Sequence, residues 1–191
     1  ENRLLSRFNR RRLAVEEMRD GLLAIDGTID LTMGGTLQKG FGTDSENSND
    51  RLSMNPEKIT RRTVYVPLRR ANLPSLLNLF DFGDATAMNG KRQLTNVPTQ
   101  ALFAMNSEFV ATRAKNLAES LLKDKTLNDT ARVKSAYLKI INREASSDEV
   151  IKATAYVNSF KQKFPGKDAE TKAWQSFCHV LMASNEFIYV D

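Results

Sequence analysis

Polar side chains that could take part in chemistry concentrate between residues 69 and 100. Asp81 and Asp84 are three residues apart, so on one helical turn both carboxylates would lie on the same side. Such a pair could bind a cation together with backbone oxygens, or divide into a general acid and a general base. The residues that could form this polar site or, alternatively, a structural network are Arg69, Arg70, Asp81, Asp84, Arg92, Asn96 and Gln100.

The structural alternative gives the same residues a different role. Irregular backbone has few regular hydrogen bonds, so it needs side-chain partners whatever the function of the protein. In that case the two carboxylates pair with Arg69, Arg70 or Arg92 and hold the irregular segment in place. We favour this structural network, while a carboxylate–arginine site stays open as the alternative.

The single cysteine and the single histidine limit the chemistry further. Cys178 has no second cysteine with which to form an intrachain disulfide, and any catalytic triad would depend on His179. The segment 175–179 resembles a c-type haem attachment motif in which the first cysteine is replaced by Gln175. Covalent attachment uses both cysteines, so we expect no haem in this chain. One Cys and one His do not make a zinc-type ligand cluster, and we expect no metal and no other cofactor. The sequence favours a small buried thiol beside Trp174.

A run of arginines near the N-terminus, within residues 7–12, contributes to a net charge of +5. Nucleic-acid binding would require such a basic stripe together with residues that read bases. Glu16, Glu17 and Asp20 follow within about one helical turn and offer ion-pair partners. We therefore favour internal pairing, or docking on an acidic face of another domain, over nucleic-acid binding. No apolar run approaches the roughly 20 residues of a membrane span, so we expect none.

The elements that would position these residues are mainly helical, and 191 residues are enough for one domain. Apolar residues recur on one face from Phe8 to Ile25, which predicts an amphipathic helix there. Gly, Ser, Asn and Asp dominate residues 34–60, which predicts a long mobile loop. Residues 63–67 read as a minor strand-like segment that ends at Pro67.

The rest of the chain, 98–191, is predicted to be regularly helical. Pro98 fits the first position of a helix, and Ser146–Glu149 has the pattern of a capping box. A further long helix is predicted over 169–183. The tail 184–191 is apolar enough to pack back on the body. The sequence as a whole predicts an irregular, mainly α domain.

Four segments carry a family resemblance: residues 9–20, 69–84, 93–103 and the ending 181–191. In this order they resemble the DUF1553 (PSD1) domain of planctomycete and verrucomicrobial proteins, over nearly the whole chain. The resemblance implies one C-terminal domain, 1–191, of a larger exported or periplasmic protein. A DUF1549-like domain, and often an N-terminal cytochrome c-like domain that carries the haem, would precede it. The activity of the family is uncharacterised.

Two functions follow as expectations. The chain is either an accessory domain that packs on the upstream DUF1549-like domain, or a contributor of residues to an exported redox or polysaccharide-related enzyme. An open pocket lined by Asp81, Asp84, Arg92 and Gln100 would favour the enzyme. Mutual pairing of these groups, with an apolar surface exposed elsewhere, would favour the accessory domain.

Overall fold

The computed structural model describes residues 4, 10–34, 56–66, 68, 73–83, 90, 92 and 95–190. In this part of the chain the fold is mainly helical, as predicted, with one two-stranded sheet. The elements in chain order are β1 (Arg11–Arg12), α1 (Val15–Ile25), 3-10 turns at Pro56–Lys58 and Thr63–Tyr65, α2 (Ser75–Leu79), α3 (Pro98–Asn106), α4 (Glu108–Lys123), α5 (Asp129–Ile141), α6 (Ser147–Lys163), α7 (Ala169–Met182), α8 (Asn185–Ile188) and β2 (Tyr189–Val190).

Helix α7 lies at the centre of the core and packs most extensively against α4, then against α6. Its buried residues occur as adjacent pairs repeated every fourth position, a spacing that gives a wide apolar face. Trp174 and Cys178 on this face are fully buried, as are Ala114 and Leu117 of α4. Because α1 also packs on α4, the N-terminal and C-terminal parts of the chain share one core.

Side-chain caps fix where several helices begin. Ser107 accepts a hydrogen bond from Phe109 N (3.1 Å) at the start of α4. The predicted capping box is confirmed at α6, where Ser146 and Glu149 bond reciprocally to each other's backbone N–H groups. Helix α5 ends at Ile141. The next residue, Asn142, has a φ of 59°, which lies in the left-handed region that asparagine tolerates.

The N-terminal helix begins later than predicted, at Val15 instead of Phe8. Arg11 and Arg12 are extended and pair antiparallel with Val190 and Tyr189. The next residue continues the contact, since Leu13 N donates to Ile188 O at 2.8 Å. Pairing with the tail therefore overrides the local helical pattern, and the predicted packing of the tail on the body is confirmed.

The prediction of a strand-like segment at 63–67 is wrong, because Thr63–Tyr65 forms a 3-10 turn. Thr63 donates through both N (2.8 Å) and Oγ1 (2.6 Å) to Asp20 Oδ1, which turns the backbone toward α1. The buried Arg19 donates to the carbonyl of Arg61 just before this turn. A β-branched run becomes a strand only beside a partner strand, and the described residues offer it none.

Most of the predicted loop 34–60 lies outside the described residues, at positions 35–55. The described residues on either side of it are adjacent in space. Asp30 N donates to Thr60 O (2.9 Å), and Arg61 donates to the carbonyls of Thr32 and Gly34 (3.0 and 2.8 Å). None of the helices in the described part of the chain is both long and apolar enough to cross a membrane.

Candidate functional site

Two residues of the predicted polar set, Asp81 and Gln100, meet around Arg12, which is only 7% exposed. Successive side chains of a strand point to opposite sides, so β1 exposes Arg11 and directs Arg12 inward. The Arg12 guanidinium donates to Asp81 Oδ2 (2.7 Å), to Gln100 Oε1 and to Thr95 O. One cation therefore ties β1 to the end of α2 and the start of α3.

Asp81 lies just beyond α2, in backbone of positive φ (58°). It is not on a helical turn, which was the condition under which its carboxylate would share one side with that of Asp84. Its carboxylate accepts from Thr95 N and Thr95 Oγ1, both at 2.8 Å, in addition to Arg12. Partial burial opposes ionisation, but the hydrogen bonds from Thr95 and Arg12 outweigh it and hold the pKa of Asp81 below its usual value. Asp81 is thus an ionised acceptor already engaged by three donors.

Gln100 closes the network from the side of α3. Pro98 occupies the first turn of this helix, as predicted, and places Gln100 facing inward at 5% exposure. The amide accepts from Arg12 and donates through Nε2 to Leu79 O (3.0 Å), the last residue of α2. Both ends of the Gln100 amide are therefore used to connect elements.

The other two described residues of the predicted set, Arg92 and Asn96, do not join this network. Arg92 pairs with Glu16 Oε1 (2.6 Å) and stands 4.7 Å from the centre of the Phe82 ring. Three other members of the set lie outside the described residues: Arg69, Arg70 and Asp84. Arg12, which organises the network, was not in the set. Only its place in a basic run was visible in the sequence, and nothing there showed that its side chain is buried.

Asn96 faces a separate, open pocket with a volume of about 510 Å³. The pocket lies where the segment after Thr95 approaches α8 and β2. The described residues that line it are Arg10, Asn96, Asn185, Glu186 and Tyr189. One predicted residue, Asn96, therefore lines a pocket, whereas Asp81 and Gln100 are both hydrogen-bonded to Arg12.

The carboxylate that lines the pocket, that of Glu186, accepts hydrogen bonds from Arg143. Arg143 donates to both Glu186 oxygens (2.5 and 3.0 Å) and to both Glu149 oxygens (2.7 and 2.9 Å). The hydrogen bonds from Arg143, followed by those from Ser146, lower the pKa of Glu149 to about 2. The same two carboxylates raise the pKa of Arg143 above its usual value. This cluster connects the end of α5 with the first turns of α6 and α8.

Cys178 and His179 face the core and its edge. Cys178 is fully buried, as predicted, and burial raises the pKa of its thiol to about 12. His179 Nε2 is hydrogen-bonded to Ala104 O at 2.9 Å, which connects α7 to α3. Within the described ranges, no group of three His, Cys, Asp or Glu side chains could hold a metal ion.

Comparisons with known proteins found one similarity. No curated protein and no solved structure matches the chain. A family model, PSD1, described as "Protein of unknown function (DUF1553)", matches residues 1–157 and so ends within α6. This match covers 157 of the 191 residues, well over half of the chain. The chain therefore belongs to the PSD1 (DUF1553) family.

Proposed function

We propose that this chain is a non-catalytic accessory domain that packs on an upstream DUF1549-like domain of an exported protein. The observation that carries the proposal is the closed network around Arg12. A catalytic carboxylate needs an acceptor position open to its substrate. Asp81 instead receives three donors, and both ends of the Gln100 amide are bonded. These groups act as connectors between elements, so we assign them a structural role.

Helix α3 supplies the surface for docking, because its polarity is inverted. Its buried residues are Gln100 and Ala104, whereas Leu102 and Met105 are 54% and 62% exposed. A surface helix normally turns its large apolar residues toward the core. A buried polar residue and exposed large apolar residues on one helix support the proposal that a partner covers its outer face.

A neighbouring residue of α7 extends this surface. Ala104 O is bonded to His179, so α3 and α7 are in contact near Met105 and Val180, the next residue of each helix. Val180 is 57% exposed. We call Leu102, Met105 and Val180 the α3–α7 apolar surface. Apolar residues of this kind form the centre of stable domain interfaces.

The upstream domain is the occupant that we infer for this surface. Two arginines of the basic run form ion pairs within the chain, since Arg11 pairs with Glu17 and Arg12 with Asp81. This pairing supports neither nucleic-acid binding nor docking through charge, so the apolar surface is the better candidate. The family resemblance supplies a DUF1549-like domain directly upstream. Haem, where the parent protein has a cytochrome c-like domain, would be bound there.

The test is co-purification of this chain with the upstream part of its parent protein. We expect the wild-type chain to associate, and the double variant Leu102→Ser/Met105→Ser to lose at least about tenfold in affinity. The matched control is Leu138→Ser/Ile151→Ser, on α5 and α6, whose side chains are similarly exposed (55% and 66%). Circular dichroism melting checks that both variants fold.

Two outcomes would contradict the proposal. In one, the wild-type chain fails to associate with the upstream part. In the other, the α3 variant and the control variant bind equally well.

A further inference from the structure

The open pocket beside the tail has chemistry of its own, which the docking proposal does not use. We propose that it binds one or two sugar units of a neutral saccharide. The pocket of about 510 Å³ lies within the size range of small-molecule sites. Its wall is built on the β1–β2 pairing, in which Arg12 lies opposite Tyr189. The backbone at Tyr189, one of the residues that line the pocket, is therefore held by strand pairing.

Three neutral groups line this pocket: the side-chain amides of Asn96 and Asn185 and the phenol of Tyr189. Within the described part of the chain, none of these side chains has a hydrogen-bond partner. Amides and phenols both donate and accept hydrogen bonds, as sugar hydroxyls do. A saccharide could thus bond to all three groups without first breaking a bond inside the protein.

The charges around the pocket favour a neutral ligand. Arg10 and Glu186 contribute one charge of each sign. An anionic ligand would meet the Glu186 carboxylate, and a cationic ligand would meet Arg10. Each Glu186 oxygen accepts one bond from Arg143 and keeps a lone pair, because a carboxylate has about four acceptor sites. That remaining capacity suits the O–H donors of a sugar.

Tyr189 adds the apolar face of its ring to the polar groups that line the pocket. Its side chain is half-buried, so part of the ring is available to a ligand in the pocket. Aromatic rings offer a flat apolar face with a polar tip at the hydroxyl. A pyranose has the complementary form, with C–H groups on one face and hydroxyls at its edge. The combination of a ring with amides distinguishes this pocket from a site for a purely apolar ligand.

The experiment is a titration of the ¹⁵N-labelled chain, followed by NMR, with neutral disaccharides of glucose, mannose, xylose and N-acetylglucosamine. Glucuronate and inorganic phosphate serve as charged probes. We expect at least one neutral disaccharide to bind with a Kd of about 10 mM or tighter. Signals of Asn96, Asn185 and Tyr189 should shift, and those of the Arg12 network should not.

Variants locate the binding. Asn96→Ala/Asn185→Ala should weaken it about tenfold, and Tyr189→Phe, which keeps the ring and removes only the hydroxyl, should weaken it less. The control is Asn158→Ala, at an exposed position of α6. The inference is overturned if no neutral disaccharide shifts these signals, if only glucuronate or phosphate binds, or if the double variant binds like the control. Docking through α3 is measured separately and does not depend on this result.

Discussion

At the scale of single residues, Arg12 bonds to three partners that are distant in sequence. Its guanidinium bonds to Asp81, Thr95 and Gln100 and lies 5.9 Å from the centre of the Phe80 ring. A planar guanidinium carries five N–H donors in a fixed arrangement, against three on an ammonium group, so it is well suited to hold several acceptors at once. This capacity lets one side chain organise segments that have little regular structure of their own.

Removing Arg12 should therefore cost stability. We expect Arg12→Met to lower the free energy of unfolding by about 2–4 kcal/mol, because Asp81 and Gln100 lose the donor that compensates their burial. Urea denaturation measures the change. Arg11→Met is the matched control: Arg11 and Glu17 are both more than 40% exposed, so the loss there should be much smaller than in Arg12→Met. Equal losses in the two variants would show that Arg12 is not a connector.

At the scale of elements, Arg143 performs a similar function just after the end of α5. It follows α5 and binds Glu149 in the first turn of α6 and Glu186 in α8. Helix α8 has only four residues and would not be stable alone, so its position depends on such contacts. The packing of Phe187, which is 7% exposed, supplies the apolar part of the same attachment.

The lowered pKa of Glu149 makes this attachment sensitive to acid. Its pKa is about 2 in the folded chain against 4.5 ordinarily. The carboxylate therefore stabilises the fold fully above about pH 4.5, and this contribution is lost as the pH falls toward 2. We expect the free energy of unfolding to decrease over that range. In Glu149→Gln the free energy should start lower and depend less on pH.

Urea denaturation at a series of pH values tests this expectation. Glutamine can still serve in the capping box, so the variant removes the charge and keeps the cap. Glu144→Gln, nearby and without a side-chain ion pair in the described part of the chain, is the control. An identical pH dependence in wild type and Glu149→Gln would refute the assignment.

At the scale of the whole molecule, the tertiary unit extends beyond the family match. The match ends at residue 157, inside α6, but α7 and the tail follow it. Helix α7 covers α4, and β2 pairs with β1 at the opposite end of the chain. The residues of α7 that are buried in this arrangement are Ala173, Trp174, Phe177, Cys178, Leu181 and Met182.

A chain that ends at Val157 should consequently fail to fold. Loss of α7 exposes the apolar face of α4, and the cost exceeds the roughly 5–15 kcal/mol by which domains are stable. We expect no cooperative thermal transition and collapsed amide dispersion in NMR spectra. A chain that ends at Ala183 keeps α7 and loses only α8 and β2. It should fold, with a melting temperature lower by about 10 °C. Cooperative unfolding of the shorter chain would contradict this view of the core.

Much of the helical part could be predicted from sequence because its causes are local. The capping box at Ser146–Glu149, the proline that opens α3 and the apolar period of α7 each act within about two turns of helix. The burial of Cys178 followed from the same period. For these features the partners are near neighbours in the chain, so reading the residues in order is sufficient.

The arrangement of the candidate sites depended on partners far apart in sequence. Arg12 and Gln100 are separated by 88 residues, and Arg12 pairs across β1 with a strand near the end of the chain. Thr63–Tyr65 became a turn because Asp20 on α1 accepts its donors. Asn96 and Asp81 were both candidates in the sequence, but Asn96 lines a pocket and Asp81 belongs to a closed network. Sequence determined which segments are helices, and only tertiary packing decided which polar groups are free to bind, because that depends on which distant donors and acceptors folding brings together.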